Sequence, residues 1–399
     1  MISQRTLFLQ YVGQTSPSPM ALEIDRAEGI YLYDKKGKQY IDLVSGVSVS
    51  NVGHCHPLVV EAIKKQAEKY MHLMVYGEYI QEPQVNFAKE IVSTLSDNMQ
   101  SVYFVNSGSE AIEGAMKLAK RYTGRREILA FNKAYHGSTH GALSIYGGTE
   151  LKKAVQPLLP EVDFMNFNKI EDLNKITEKT ACVVMEVIQA EAGIYPAEET
   201  FLRAVKEKCD NTGTLLIFDE IQTGFGRTGK MFAYEHYGVK PDIICLAKGM
   251  GGGMPIGAFV SSKNIMDTLT NNPALGHITT FGGHPVSCAS GLASLNIIKE
   301  NKLHIEANTK GQLFKELLTH NLIDSFRGKG LFIAVEMKKN VDMDKFFDIC
   351  FAKGIIYDFF LFSKTAFRIA PPLTITNDEI IKISEMLLES MNEYSNEYL

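Results

Sequence analysis

The sequence has no marked excess of either charge, no long apolar stretch, no paired cysteines and no low-complexity tract, and each absence removes a class of function. A formal charge of −5 over 399 residues gives no basic footprint, so nucleic acid is not an expected partner. No run approaches the roughly 20 apolar residues of a spanning helix, so no membrane association is expected either. The opening MISQRTLFLQYVGQ lacks the apolar core and small-residue cleavage site of a signal peptide. Six cysteines (Cys55, Cys182, Cys209, Cys245, Cys288, Cys350) lie scattered without a CxxC pair. That pattern fits reduced thiols better than a disulfide framework or structural zinc, and a cytoplasmic location is expected. With 45% hydrophobic and 22% charged residues, the chain is an ordinary globular one, long enough for two domains.

What is present is an alternation. From about Val102 onward, short apolar runs interleave with helical patterns: SVYFVN then EAIEGAMKLAKRY, REILAFN, TACVVMEVI then ETFLRAVKEKCDNTG, TLLIFDEI, DIICLAKG and GAFVSS. Runs apolar throughout suit strands buried on both faces, and the helices between them suit crossovers, which predicts an α/β fold with a mostly parallel sheet. The flanks differ. YLYDKKGKQYIDLVSG reads as a hairpin, while GLFIAVEMK, GIIYDFF and AFRIAPPL alternate with helices such as DEIIKISEMLLESMNEY. A smaller α+β domain built from both termini follows, with 1–50 contributing to it, 51–300 forming the large domain and 301–399 the C-terminal part.

Three stretches carry chemistry. In TLLIFDEIQTGFGRTG, Asp219 and Glu220 close an apolar run, placing two carboxylates at the carboxyl end of a buried strand, where open α/β sheets bind ligands. Taken alone, Asp219 is also what a turn or a helix cap calls for. In CLAKGMGGGMPIGA, Lys248 is the single charge among apolar residues and glycines and emerges at the same edge. In FVNSGSEAIEGAMKLAKRY a strand passes through Asn106, Ser107, Gly108 and Ser109 into an amphipathic helix; such a helix start cradles a phosphate, or is an ordinary serine cap. Neither a Walker loop nor a dinucleotide fingerprint is present. A phosphate cradle, a strand-end aspartate and a lysine in an apolar loop together make the parts of a pyridoxal-phosphate site. There a lysine bonds the aldehyde and an acid partners the pyridine nitrogen, and an apolar surround depresses the lysine pKa as nucleophilic attack requires.

The same residues carry a resemblance. PDIICLAKGMGGGMPIGA, LLIFDEIQTGFGRTG, NSGSEAIEGAMKLAKRYTGR, AYHGSTHGALS, GHITTFGGHP, RGKGLFIAVE and FRIAPPLT resemble, as a set, the landmarks of the class III pyridoxal-phosphate aminotransferases of fold type I. That group contains acetylornithine, ornithine and 4-aminobutyrate aminotransferases. The resemblance runs from about Tyr31 to past Thr374. It implies that Lys248 is the Schiff-base lysine and Asp219 the partner of the pyridine nitrogen. It further implies that Ser107, Gly108 and Ser109 hold the phosphate, that Tyr135 stacks on the ring with His136 beside it in the cofactor site, and that Gln222 bonds the phenolic oxygen. Thr280, with Thr279 next to it, would reach the phosphate of a neighbouring subunit, implying a homodimer with shared active sites. His284 stands where the family usually has asparagine. The tandem His54-Cys55-His56 shapes a turn in this family, and no metal is expected.

For the substrates, a small amine and an oxo acid, the resemblance makes Arg368 the grip on an α-carboxylate. Glu191 would pair with Arg368 when the incoming amine lacks that carboxylate. Two positions depart from the family. Where relatives carry an arginine for the distal carboxylate of 2-oxoglutarate this chain has Ser138, and where ornithine aminotransferases carry a substrate-contacting tyrosine it has Val47. The expected function is transamination from an acetylornithine-like or ornithine-like ω-amine. The alternatives are a pyruvate-dependent ω-aminotransferase, an aminomutase, racemase or decarboxylase on the same fold, or a cofactor-binding protein without turnover. The joint presence of Arg368 and Glu191 favours transamination.

Overall fold

The computed structural model describes residues 2–75 and 77–399, so Met1 of the expected N-terminal segment lies outside the described residues. In chain order the strands are β1 (Ile24–Glu28), β2 (Tyr31–Asp34), β3 (Gln39–Asp42), β4 (Ser101–Val105), β5 (Glu127–Phe131), β6 (Val162–Met165), β7 (Thr180–Glu186), the short pair β8 (Ile188–Gln189) and β9 (Tyr195–Pro196), β10 (Leu215–Asp219), β11 (Ile243–Ala247), β12 (Gly257–Ser261), β13 (Ile323–Lys329), β14 (Phe332–Met337), β15 (Ile355–Ile356) and β16 (Ala366–Ile369). Among the described residues, seven of these form one sheet in the order β4-β12-β11-β10-β7-β5-β6. All neighbours in it are parallel except around β12, which runs antiparallel to both β11 and β4. The mostly parallel sheet is as expected. β7, β10, β11 and β12 are buried along their whole length, which is why these runs are apolar at every position and do not alternate.

The helix Gly108–Thr123 shows how the crossovers pack. Its buried positions Ala111, Ile112, Ala115, Met116, Leu118 and Ala119 recur at helical spacing and make one apolar stripe against the sheet. Gly114 in that stripe allows close approach, since a Cβ there would lie 2.2 Å from Phe259 Cε1 on β12. Gly124 ends the helix in a left-handed conformation, its N–H bonding Lys120 O, as helix C-termini commonly do.

The chain termini meet in smaller sheets. β3 pairs in parallel with β15, Ile41 opposite Ile355, to give the order β1-β2-β3-β15. β13, β14 and β16 form an antiparallel sheet in which Ala334 lies opposite Arg368. The hairpin expected in YLYDKKGKQYIDLVSG is the β2–β3 pair.

These parts are tied together by Arg227, whose side chain is fully buried. Its guanidinium donates to Asn51 Oδ1 at 2.6 Å, to Leu331 O at 3.1 Å and to Pro371 O, while Asn51 Nδ2 donates to Phe225 O at 2.9 Å. Burial pulls the Arg227 pKa down to about 9. A buried cation held only by neutral oxygens is costly to place and costlier to remove, because its acceptors are then left unmatched. Arg227→Ala is therefore expected to destabilise the fold by about 3 kcal/mol or more. A lowered thermal unfolding midpoint in calorimetry would show this, and a midpoint equal to the parent's would refute it.

Candidate active site

The ends of the parallel strands converge on one edge. β4 leads into Ser107, β11 into Lys248, and β10 ends at Asp219, which lies opposite Cys245 on one side and Glu186 of β7 on the other. β5 leads through Ala134 into Tyr135 and His136. A cavity of about 410 Å³ at this edge is lined by Ser107, Gly108, Ser109, Tyr135, His136, Glu186, Asp219, Gln222 and Lys248, with Val49 and Ile221 among its apolar walls. Of the two carboxylates expected here, Asp219 reaches the cavity and Glu220 does not. Successive strand residues point to opposite sides, and Glu220 turns away to accept from Ala233 N at 3.0 Å, Tyr234 N at 2.8 Å and the Thr223 hydroxyl.

Asp219 serves as turn residue and site residue at once. Its Oδ1 accepts from Ile221 N at 3.0 Å and its Oδ2 lies 2.7 Å from His136 Nδ1. Burial alone would depress the His136 imidazole, but the hydrogen bond and charge of Asp219, helped by Glu186, lift its pKa above the ordinary histidine value. Glu186 accepts from Tyr135 N at 3.2 Å and Ala190 N at 2.8 Å, and burial pushes its pKa up to about 7. Lys248 sits in a left-handed backbone conformation, φ 50°. Burial, with the nearby Arg368, outweighs the surrounding carboxylates and lowers its pKa from the usual lysine value, so the neutral amine is accessible.

At the cradle, Ser107 caps the helix, its Oγ accepting from Glu110 N at 3.2 Å. Gly108 and Ser109 contribute first-turn amides that no helical carbonyl reaches. Space here is tight: a Cβ at Gly108 would lie 2.9 Å from Ile221 Cδ1, and one at Gly137 would lie 1.9 Å from Ser109 Oγ. Behind Lys248 is a buried ion pair. Arg368, fully buried on β16, donates through one terminal nitrogen to Glu191 Oε1 at 2.7 Å and through the other to Gln222 Oε1 at 2.9 Å. Gln222 Nε2 closes the triangle on Glu191 Oε1 at 3.3 Å. Burial would raise the Glu191 carboxyl, but the guanidinium holds it below the usual carboxylate range.

The family model described as Aminotransferase class-III matches residues 12–391. The chain belongs to this family. It is 41% identical to an acetylornithine aminotransferase of Methanosarcina mazei over 386 residues, covering 95% of this chain and 93% of the relative. Its fold superposes on the ornithine aminotransferase of Toxoplasma gondii with a TM-score of 0.91 at 28% identity, covering 98% and 94% of the two chains. It superposes equally well on the taurine:2-oxoglutarate aminotransferase of Bifidobacterium kashiwanohense, solved with pyridoxal phosphate and glutamate, with a TM-score of 0.90, 29% identity and 98% coverage of both. The protein is thus a pyridoxal-phosphate-dependent aminotransferase of fold type I. Its cavity suits that cofactor. The glycine cradle has no room for side chains, the lysine is pushed toward its neutral form, and the buried His136 Nε2 is without a hydrogen-bond partner among the described residues.

Other positions of the aminotransferase fall around this centre. Thr279 Oγ1 accepts from Asn106 Nδ2 at 3.1 Å beside the cradle, whereas Thr280 is exposed. Ser138 is exposed too, its Oγ 3.1 Å from the Tyr135 hydroxyl and its N–H donating to Ser109 Oγ at 3.2 Å. Val47, in a left-handed turn, is not among the cavity-lining residues; Val49 is. His54 bonds Asp42 Oδ2 at 2.8 Å and His56 caps the helix Pro57–Lys69. Among the described residues no metal-ligating cluster occurs and no helix is long and apolar enough to cross a membrane. Sequence reasoning missed Glu186, although TACVVME ends in an acid just as TLLIFD does.

Glu220 generates a pH prediction. Burial pushes its pKa from 4.5 up to about 7, so between those values the folded chain holds a proton that the unfolded chain has released. Stability therefore falls as pH rises through that window. Glu220→Gln should flatten the fall, measured as unfolding midpoint against pH from about 5 to 7. An unchanged slope would mean the carboxyl titrates normally.

Proposed function

We propose that this aminotransferase moves an amino group from an ω-amine to an oxo acid, the two substrates sharing the Arg368 subsite. The observation that carries the reading is the buried Arg368–Glu191 pair bridged by Gln222. A donor whose reacting carbon bears no carboxylate leaves the pair closed. An oxo acid places its carboxylate on Arg368 in a charge-assisted pair and displaces Glu191. The names of the acetylornithine and taurine relatives support donors of the first kind.

When bound, the cofactor supplies an aldehyde and an electron-accepting ring. Ser107, Gly108 and Ser109 would hold its phosphate at the helix start. Asp219 would hold a proton at the ring nitrogen, and His136 behind it, its Nδ1 2.7 Å from Asp219 Oδ2, orients that carboxylate. Tyr135 would cover the ring face and Gln222 would bond the phenolic oxygen. Lys248 would be the amine that anchors the aldehyde between turnovers. During turnover its Nζ would take a proton from the donor's amine-bearing carbon and deliver it to the carbon that carried the aldehyde, a role that the lowered pKa of Lys248 suits.

The enzyme is read as a cytoplasmic homodimer. Leu275, Ile278 and Phe281 are exposed near Thr280 in the chain, Met71 and Ile80 are exposed as well, and the His72 ring lies tilted against Phe281 with ring centroids 4.7 Å apart. An apolar surface of this kind supports association, with Thr280 reaching the partner's phosphate. The six cysteines are free, five of them buried, which suits a reducing compartment.

Lys248→Ala is expected to abolish turnover with every amine while the chain still folds. Mixed with Thr280→Ala chains, it should regain activity above either parent, because some heterodimers then hold one undamaged site. Verified subunit exchange without recovery would place Thr280 within its own site. Activity in Lys248→Ala alone would sink the assignment of that lysine.

Ser138 yields a second expectation, about the acceptor. A neutral hydroxyl cannot replace a bidentate cation, so pyruvate, which has no distal carboxylate, is favoured over 2-oxoglutarate. Because the position is exposed, Ser138→Arg should shift the ratio of kcat/KM values toward 2-oxoglutarate by roughly twofold to fivefold, the worth of a solvent-exposed pair. A ratio unmoved by the substitution would remove Ser138 from acceptor selection.

A further inference from the structure

Arg368 faces two carboxylates. Besides Glu191, Asp358 Oδ2 lies 3.8 Å from the terminal nitrogen that also serves Gln222. The two acids differ in how they are held. Asp358 is fixed by its backbone: Arg368 N donates to Asp358 O at 2.9 Å in an antiparallel bridge, and Asp358 Oδ1 accepts from Phe359 N at 2.8 Å. Glu191 reaches Arg368 through a longer side chain from the loop after β8 and is held there by contacts that a substrate carboxylate can replace. The segment after Asp358 is tuned to Glu191 as well, since Leu361 N donates to Glu191 Oε2 at 3.3 Å and Phe362 N to Glu191 O at 3.0 Å. On its remaining side Arg368 lies over the Phe360 ring, 4.8 Å from its centroid, and the buried Nε has no hydrogen-bond partner among the described residues.

We propose that Asp358 is a specificity-determining residue. It stays beside Arg368 when Glu191 is displaced, and so weakens the grip on any incoming α-carboxylate. The inference rests on the reading of Arg368 as the carboxylate subsite. Its consequence is a site biased toward donors with no carboxylate on the reacting carbon, because such donors leave the guanidinium in its doubly compensated state. An α-amino acid or an oxo acid must instead bind a cation whose charge is already partly neutralised. Burial raises the Asp358 carboxyl and Arg368 opposes that rise, consistent with an acid that shares its cation.

The test is Asp358→Asn, which keeps the oxygen that accepts from Phe359 N, with Asp358→Ser as a second variant should the first not fold. In the holoenzyme, KM for pyruvate and for 2-oxoglutarate should both fall by roughly twofold to fivefold at similar kcat, the size of a partly exposed charge pair. KM for a simple alkyl amine should stay within error. A merely structural role would raise these constants or lower kcat and the unfolding midpoint together. Propanoate binding by calorimetry gives an arm that needs no turnover, and it should tighten by the same factor in Asp358→Asn. Tighter propanoate binding in a protein that turns over no amine would uphold the subsite proposal and overturn the transaminase reading of the site. Normal turnover with unchanged acceptor KM and unchanged propanoate affinity would overturn the role of Asp358 and leave that reading standing.

Discussion

A guanidinium held by uncharged oxygens sits where the distant parts of the chain meet. Arg227 draws the turn near Asn51, the strand start at Leu331 and the chain after β16 at Pro371 onto one centre. Pro371 lies three residues beyond Arg368, so the contact that closes the C-terminal sheet onto the large one also fixes where Arg368 stands. Without that closure Arg368 would have no reason to lie against Glu191 and Gln222, which belong to the large sheet's loops. A burial that is unfavourable by itself is tolerated because each of its hydrogen bonds spans more than a hundred residues of sequence.

The charges at the cavity follow one logic. Asp219 is matched by His136, Glu191 by Arg368, and Glu186 by two backbone amides. Burying a charge without a partner is costly; the guanidinium offsets that cost for Glu191, whereas two amides do not for Glu186, whose pKa burial pushes up to about 7. Lys248 stands apart, since no carboxylate lies within ion-pair distance of it among the described residues. Burial discourages its charge, which suits the role proposed for that amine.

Much of this was legible in the sequence, for identifiable reasons. The strands β7, β10 and β11 announce themselves because burial on both faces leaves no room for polar residues. A residue that ends such a run must emerge at the ligand edge, so Asp219 and Lys248 could be placed before any coordinates. Glu220 could not be separated from Asp219 by that rule, since only the pleat of the strand decides which neighbour turns inward. Asp358 was invisible for another reason. It meets Arg368 through an isolated bridge outside the named strands, and GIIYDFF carries no periodicity that points its acid anywhere. The reversed direction of β12 was equally hidden, because an apolar run reads the same in both directions.

That reversed strand gives the site a fixed length. Gly257 at its start lies opposite Val105 on one side and Ala247 on the other, so the proposed phosphate cradle after β4 and the lysine after β11 stand two strand spacings apart, roughly 9.5 Å. The sheet thus acts as a ruler, graduated in strand widths, and Gly257 is one of its marks: a Cβ there would lie 2.3 Å from Ser107 O. Side-chain changes around the rim can alter which amine or acid is welcome. The distance between the helix start at Ser107 and Lys248 is set by hydrogen-bonded backbone, and a ligand of another length would call for a sheet with a different number of strands between them.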